Sequence, residues 1–277
     1  MTDECGLLNL ASCIPQKIYE FFINIINAPI SPLLELTKTL LTEPVNVSVF
    51  ASIWAIVMYI ISLFYGLLML YSGFNFMISG YDSVKRAKAK EWFQNIFLMI
   101  VLIQASYFIY SVVIDINSLL TSAIVNMIDE KFFLLNADNI INIGLQFFFA
   151  IFYVLTLLFT VLFLVLRYII VAIGVIFVPF AIFFYFIPIL NSYGKLIFNF
   201  LGIAIFITFF DSLIFLACSR LIEIQIFENF QILVMISAFG MANILMFYLM
   251  FFSAIKSAFK TGGQATGAVA SVARYFA

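Results

Sequence analysis

The feature that most limits what this chain can become is a pair of long stretches with no charge in them. Phe50–Ile78 contains no acidic or basic residue, and neither does Phe93–Val113. A bilayer's hydrocarbon core is crossed by about 20 residues of helix, and both stretches meet that length. Between them lies Ser79–Trp92, SGYDSVKRAKAKEW, where Lys85, Arg86, Lys88 and Lys90 crowd together. In so apolar a chain, a basic loop of this kind fixes which side of the membrane the later segments face. The composition agrees: 65% of residues are hydrophobic and 10% charged, where a soluble domain is roughly half apolar and about a quarter charged. The chain is an integral membrane protein of the all-α class.

Taken in order, the first residues, MTDECGLLNL, are acidic and lead into no clean apolar core, so targeting is expected to come from the first span. Ile14–Asn27 places Ile14, Ile18, Phe21, Phe22, Ile25 and Ile26 on one face of an amphipathic helix too short and polar to cross. Ala28–Pro32 is expected to break it. Ser31 then caps a second short helix with Pro32 at its first position, carrying Leu33, Leu36, Leu40 and Leu41. Both helices read as interfacial. Val47–Ile78 is the first span, with Trp54 and Tyr71 suited to the two interfaces. Asp82 is placed to cap a helix running from Ser83 to about Val125. That is about twice the hydrocarbon thickness in length, so the basic end projects as a stalk and the span begins near Trp92.

The loop Asn126–Asn139 leads to a third span, Ile140–Leu166, ending at Arg167. Tyr168–Leu190 is apolar but interrupted by Gly174, Pro179 and Pro188, and the two prolines predict a broken, re-entrant or kinked piece. Leu196–Ser219 and Phe230–Ile255 are the last spans. The organisation expected is 1–46 as extracytoplasmic amphipathic helices, 47–255 as the transmembrane domain with about five helices, and 256–277 as a cytoplasmic tail. With the basic loop in the cytoplasm, Arg167, Lys195, Lys256, Lys260 and Arg274 join it there. Lys17, Lys38, Lys131 and Arg220 lie outside with most of the acids. This predicts a multi-pass protein of the plasma (inner) membrane with its N-terminus outside and its C-terminus in the cytoplasm.

Chemistry is sparse. The chain has no histidine, which removes His-based triads, general bases and zinc sites. HExxH and GxxxxGKS are both missing. No catalytic residue, metal or cofactor is expected. Asp115 and Asp211 lie within apolar stretches, and an ionisable group at membrane depth costs several kcal/mol unless paired, hydrated or protonated. Two readings stand side by side: they line a polar cavity with Gln104, Asn117, Asn199 and Asn243, or Asp115 sits at an interface while Asp211 holds helices together. The basic loop also has two readings, contact with anionic headgroups and contact with a cytoplasmic ATPase or nucleic-acid phosphates. Cys5 and Cys13 are close enough in sequence for a disulfide if the N-terminus lies outside, or they are ordinary small apolar residues; Cys218 reads as packing.

The order of features resembles a known family. A Cys-containing amphipathic N-terminus precedes a long first span, LFYGLLMLYSGFNFMIS. The basic loop, DSVKRAKAKE, leads straight into the second span. A proline-containing segment, VPFAIFFYFIPILNSYGKLIFNFLGIAIFITFFDSLI, leads to the final spans. This arrangement resembles the TrbL/CedA family, polytopic membrane proteins of type IV secretion, conjugation and archaeal DNA-import systems, over about Cys13–Lys260. Gly66–Ile114 alone also looks like the two-helix pilin subunits of those systems. The resemblance implies a non-enzymatic conduit or assembly platform in a DNA-transfer machine, acting as a homo-oligomer in membrane lipid. Its implied partners are a cytoplasmic VirB-type ATPase, small pilin-like membrane proteins and translocated DNA. The basic loop and the tail would dock the ATPase. The large polar periplasmic domain of some relatives has no counterpart here, since the second external loop is only about Asn126–Asn139. The second function class kept from the residues alone is an ion or small-solute channel or transporter using Asp211, and the third is a non-conducting scaffold.

Overall fold

The computed structural model describes residues 28–128, 143–228 and 230–252, together with Phe21 and Ile255. Among them no strand occurs, and five helices are long and apolar enough to cross a membrane. Helix α1 covers 28–42. A short 3-10 turn, Ser48–Phe50, opens α2, Ala51–Ile78, and a second one, Ser79–Tyr81, leads to α3, Ser83–Val125. Then come α4, Ile143–Phe186, α5, Asn191–Ile222, a single turn α6, Gln225–Glu228, and α7, Gln231–Phe247, which continues as a π-helix over Tyr248–Phe252.

The chain divides into two compact units. One comprises Met1–Glu43, Ser118–Leu166 and Thr208–Met246; the other comprises Pro44–Asn117, Arg167–Ile207 and Phe247–Ala277. In the second, the packing stripe of α3 is Ile96, Met99, Ile103, Ser106, Tyr110 and Ile114, recurring every three or four residues as one helical face requires. The stripe of α4 in that unit is Val171, Val175, Val178 and Ile182, and Leu201, Ala204 and Ile205 come from α5. Helix α2 closes onto this core through Val57, Met58 and Ile61. Its Trp54 indole donates to Ser106 Oγ at 3.0 Å and lies 5.4 Å from the Tyr107 ring. Trp54 therefore faces a neighbouring helix, whereas Tyr71 is exposed as an interfacial residue would be. In the first unit the core is Tyr153 and Leu157 of α4, Phe215 of α5, and Met235, Ala238 and Phe239 of α7. There Phe239 stacks between Tyr153 and Phe215, at 5.7 and 4.9 Å.

Three expectations change. First, the third span and the proline-bearing segment are one 44-residue helix, α4, which runs through Gly174 and Pro179. Pro179 removes one backbone donor and costs about 3 kcal/mol in a helix interior, but Val175, Val178 and Ile182 on the same face are buried and hold the helix together across it. The break falls at the other proline: Ile187–Leu190 forms turns around Pro188 before α5 begins. There the Asn191 side-chain amide donates to the Tyr185 carbonyl. A Cβ on Gly194 would meet the Tyr185 backbone nitrogen and lie 2.7 Å from Ala181 O, so only glycine allows α5 to start so close to the end of α4. Second, Arg167 does not end a span. It falls in step with Leu164 and Val171 on the buried stripe of α4 and is 2% exposed. Third, no break appears at Pro29–Pro32 among the described residues, and Ser31 lies inside α1 rather than capping a new helix. Proline fixes the helical φ, and where a face is well packed the burial can outweigh its lost N–H and the crowding of the carbonyl four residues back. Ile30, Thr37 and Leu41 are that face, and Ser118 Oγ donates to the Thr42 carbonyl, tying α1 to α3. Cys5, Cys13, most of Ile14–Asn27, the acidic loop residues Asp129–Asp138 and the basic tail lie outside the described residues.

Candidate functional site: the basic turn and the buried polar groups

The turn between α2 and α3 is set by local chemistry. The 3-10 residues Ser79–Tyr81 end α2, and Ser79 Oγ donates to the Phe76 carbonyl at 2.9 Å. Asp82 is extended at φ −122° and ψ 114°, and its Oδ1 accepts the N–H groups of Val84 at 2.9 Å and Lys85 at 3.4 Å. It is the N-cap that the sequence predicts, satisfying donors with no intrahelical partner. Lys85, Arg86, Lys88 and Lys90 are all exposed on the first turns of α3, yet they do different things. The Arg86 guanidinium lies 5.7 Å from the centre of the Phe76 ring, within cation–π range. Lys85 Nζ is 3.9 Å from Asp82 Oδ2, a long and exposed pair of small worth. Lys85 and Lys88 line a cavity of about 260 Å³ with Asn75, Ile78, Ser79, Ala89 and Trp92. The Trp92 indole nitrogen is buried without a hydrogen-bond partner. Neither Arg86 nor Lys90 lines this cavity.

The second unit holds a set of polar contacts absent from the sequence reading. Arg167 donates from Nε to Ala204 O and from Nη2 to Ile205 O, both at 2.9 Å. Tyr110 donates its hydroxyl to Val171 O at 2.7 Å. A Cβ on Gly174 would collide with that Tyr110 hydroxyl and come within 2.6 Å of Leu201 Cδ2, so the glycine lets α3, α4 and α5 meet. The Asn46 backbone N–H donates to the Tyr168 hydroxyl at 3.2 Å, fixing the chain ahead of α2. These contacts are structural: each ties a side chain of one segment to the main chain of another.

The acids separate. Asp115 is exposed, as are Gln104 and Asn199. Asp211 is fully buried, and Thr208, Asp211 and Ser212 share one buried face of α5 in the first unit. Asn243 of the same unit is half-buried and donates from Nδ2 to Thr156 O at 3.0 Å. Asn117, of the other unit, is buried on α3. Cys218 is buried among apolar neighbours on α5, as a packing residue would be. Arg167 is the residue that sequence reasoning misplaced. Its phase with Leu164 and Val171 is the signal that marks it as inward-facing. No known family model, curated protein or solved structure matches the chain.

Proposed function

We propose that the chain is a non-enzymatic, multi-pass membrane component of a conjugation-like DNA-transfer machine, serving as conduit or assembly platform. The observation that supports it best is the basic turn: four cations exposed on the first turns of a 43-residue helix, about 65 Å long. Such a helix can cross the hydrocarbon and still carry Lys85, Arg86, Lys88 and Lys90 clear of it, where a cytoplasmic ATPase of the VirB type could dock. The order of spans along the chain, and the likeness of Gly66–Ile114 to a two-helix pilin, point the same way. Five crossings with the basic turn inside would leave the N-terminus outside and the C-terminus in the cytoplasm, in the plasma (inner) membrane. The chain would act as a homo-oligomer beside pilin-like membrane proteins and translocated DNA.

The test is cross-linking in cells that are actively transferring DNA: DNA or the ATPase should be recovered with the protein. Neutralising Lys85, Arg86, Lys88 and Lys90 together should abolish transfer while leaving membrane insertion intact. Unchanged transfer would remove the docking role. One observation favours a second reading, an ion or small-solute channel. Asp211 is fully buried with Thr208 and Ser212 on its helix face, and ion pathways and proton relays are among the roles that intramembrane acids take. That reading predicts flux through the purified protein in liposomes, lost in Asp211→Asn; no flux above empty liposomes rejects it.

A further inference from the structure

We propose that the cavity at the α2–α3 turn is a specific site for the phosphate of an anionic phospholipid, a role that does not depend on the DNA-transfer reading. Its volume, about 260 Å³, falls just below the range of about 300–1,000 Å³ that suits drug-sized ligands, so it fits a single headgroup. Lys85 and Lys88 stand one helical turn apart and both border it. An ammonium on a flexible stem binds phosphate as a point charge and needs no fixed fork. The acid beside Lys85, Asp82, is already engaged: Oδ1 accepts the Val84 and Lys85 N–H groups, and Oδ2 reaches Lys85 only at 3.9 Å. Both side chains of that pair are well exposed, so it yields to a better-placed anion. Glu91 is exposed on α3 and does not border the cavity. On the α2 side Asn75 supplies an amide, while the Ser79 hydroxyl is already donated to the Phe76 carbonyl, and Trp92 lines the wall with its ring.

The apolar surface decides which phosphate it is. Ile78 lines the cavity and is 78% exposed, and Met77, Val84 and Phe93, each next in sequence to a lining residue, are exposed too. Acyl chains leaving a bound headgroup would cover Ile78, whereas free phosphate or a nucleic-acid backbone would leave it wet. Trp92 is also of the residue type that sits at headgroup level. This differs from general attraction of a basic loop to an anionic membrane, because only two of the four cations border the cavity. Diffuse attraction counts Arg86 and Lys90 equally with Lys85 and Lys88.

The experiment uses the full chain, reconstituted in phosphatidylcholine containing a minor fraction of phosphatidylglycerol, extracted in detergent and examined by native mass spectrometry. One phosphatidylglycerol should be retained per chain, in preference to phosphatidylcholine. Lys85→Gln with Lys88→Gln should lower retention about tenfold or more, while Arg86→Gln with Lys90→Gln, the same change in charge, should leave it nearly unchanged. Ala89→Leu keeps every charge and fills the cavity, and it should lower retention like the first pair. Equal loss in both double variants, undiminished retention in Ala89→Leu, or no preference over phosphatidylcholine would each overturn the proposal. Displacement of the lipid by inorganic phosphate would reassign the cavity to a free anion, and displacement by a single-stranded oligonucleotide would reassign it to nucleic acid.

Discussion

Where α3, α4 and α5 meet, the interior polar groups Tyr110 and Arg167 are committed to the carbonyls of Val171, Ala204 and Ile205. At the α2–α3 turn the arrangement is the reverse. The Trp92 indole nitrogen is buried with no hydrogen-bond partner, and Lys85 and Lys88 border an open cavity. Both regions belong to the same unit, so the difference is local. A region whose donors are spent on main-chain carbonyls gains stability and has less to offer a ligand. A region that keeps donors unspent gives up part of that stability, since a buried donor without an acceptor costs about 1–3 kcal/mol. The contrast separates residues that hold the fold from residues that are available for binding.

That contrast can be broken by mutation, beginning where the effect should be greatest. Arg167→Ala removes two bonds from a charged donor and leaves a large void, and should cost about 3 kcal/mol or more. Arg167→Lys keeps the charge but not the fork, and should recover only part of that. Equilibrium unfolding in micelles measures both; a loss below that of an ordinary surface substitution would mean the guanidinium is not an anchor. The glycines come next. Gly194→Ala pushes a methyl into the backbone of Tyr185 and Ala181, where nothing can swing aside, and should cost about 2–3 kcal/mol. Gly174→Ala meets the Tyr110 and Leu201 side chains, which can shift, and should cost about 1–2 kcal/mol. The reverse order would mean that the α4–α5 turn is pliable. The smallest effect belongs to the basic turn, where Lys85→Gln with Lys88→Gln should change stability by less than about 0.5 kcal/mol. A large loss there would erase the distinction between the two regions.

Much of the architecture can be read from charge-free length alone, and the bounds of α3 and its Asp82 cap follow from an acid placed just before a helical pattern. Phase mattered more than residue type where the reading failed. A lone arginine between apolar stretches looks like the end of a span, yet Arg167 keeps step with Leu164 and Val171 and turns inward. Pro179 looks like a break, yet it lies between buried Val178 and Ile182 on a face whose packing outweighs one lost hydrogen bond. Phase also separates the two acids. Asp115 sits one position off the buried stripe through Ile114, while Asp211 is on the α5 stripe between Thr208 and Phe215. At the candidate site the lysine cluster is plain in the sequence. The cavity is not, because the 3-10 turn at Ser79–Tyr81 is what brings Asn75 and Ser79 against Lys85, Lys88 and Trp92.

Helix α4 has a mechanical consequence. Its exposed apolar residues follow one another closely from Phe148 to Ile169, a stripe about 32 Å long at 1.5 Å per residue. A bilayer's hydrocarbon is about 30 Å thick, so this stripe alone fills one crossing. Between Ile169 and the end of the helix only Phe177 and Tyr185 are exposed. Sliding the helix along its axis would pull apolar surface into water or leave lipid against covered surface, and such mismatch costs a fraction of a kcal/mol for each ångström. The greasy half of α4 therefore works as a depth gauge, setting how far into the bilayer the rest of the helix can sit.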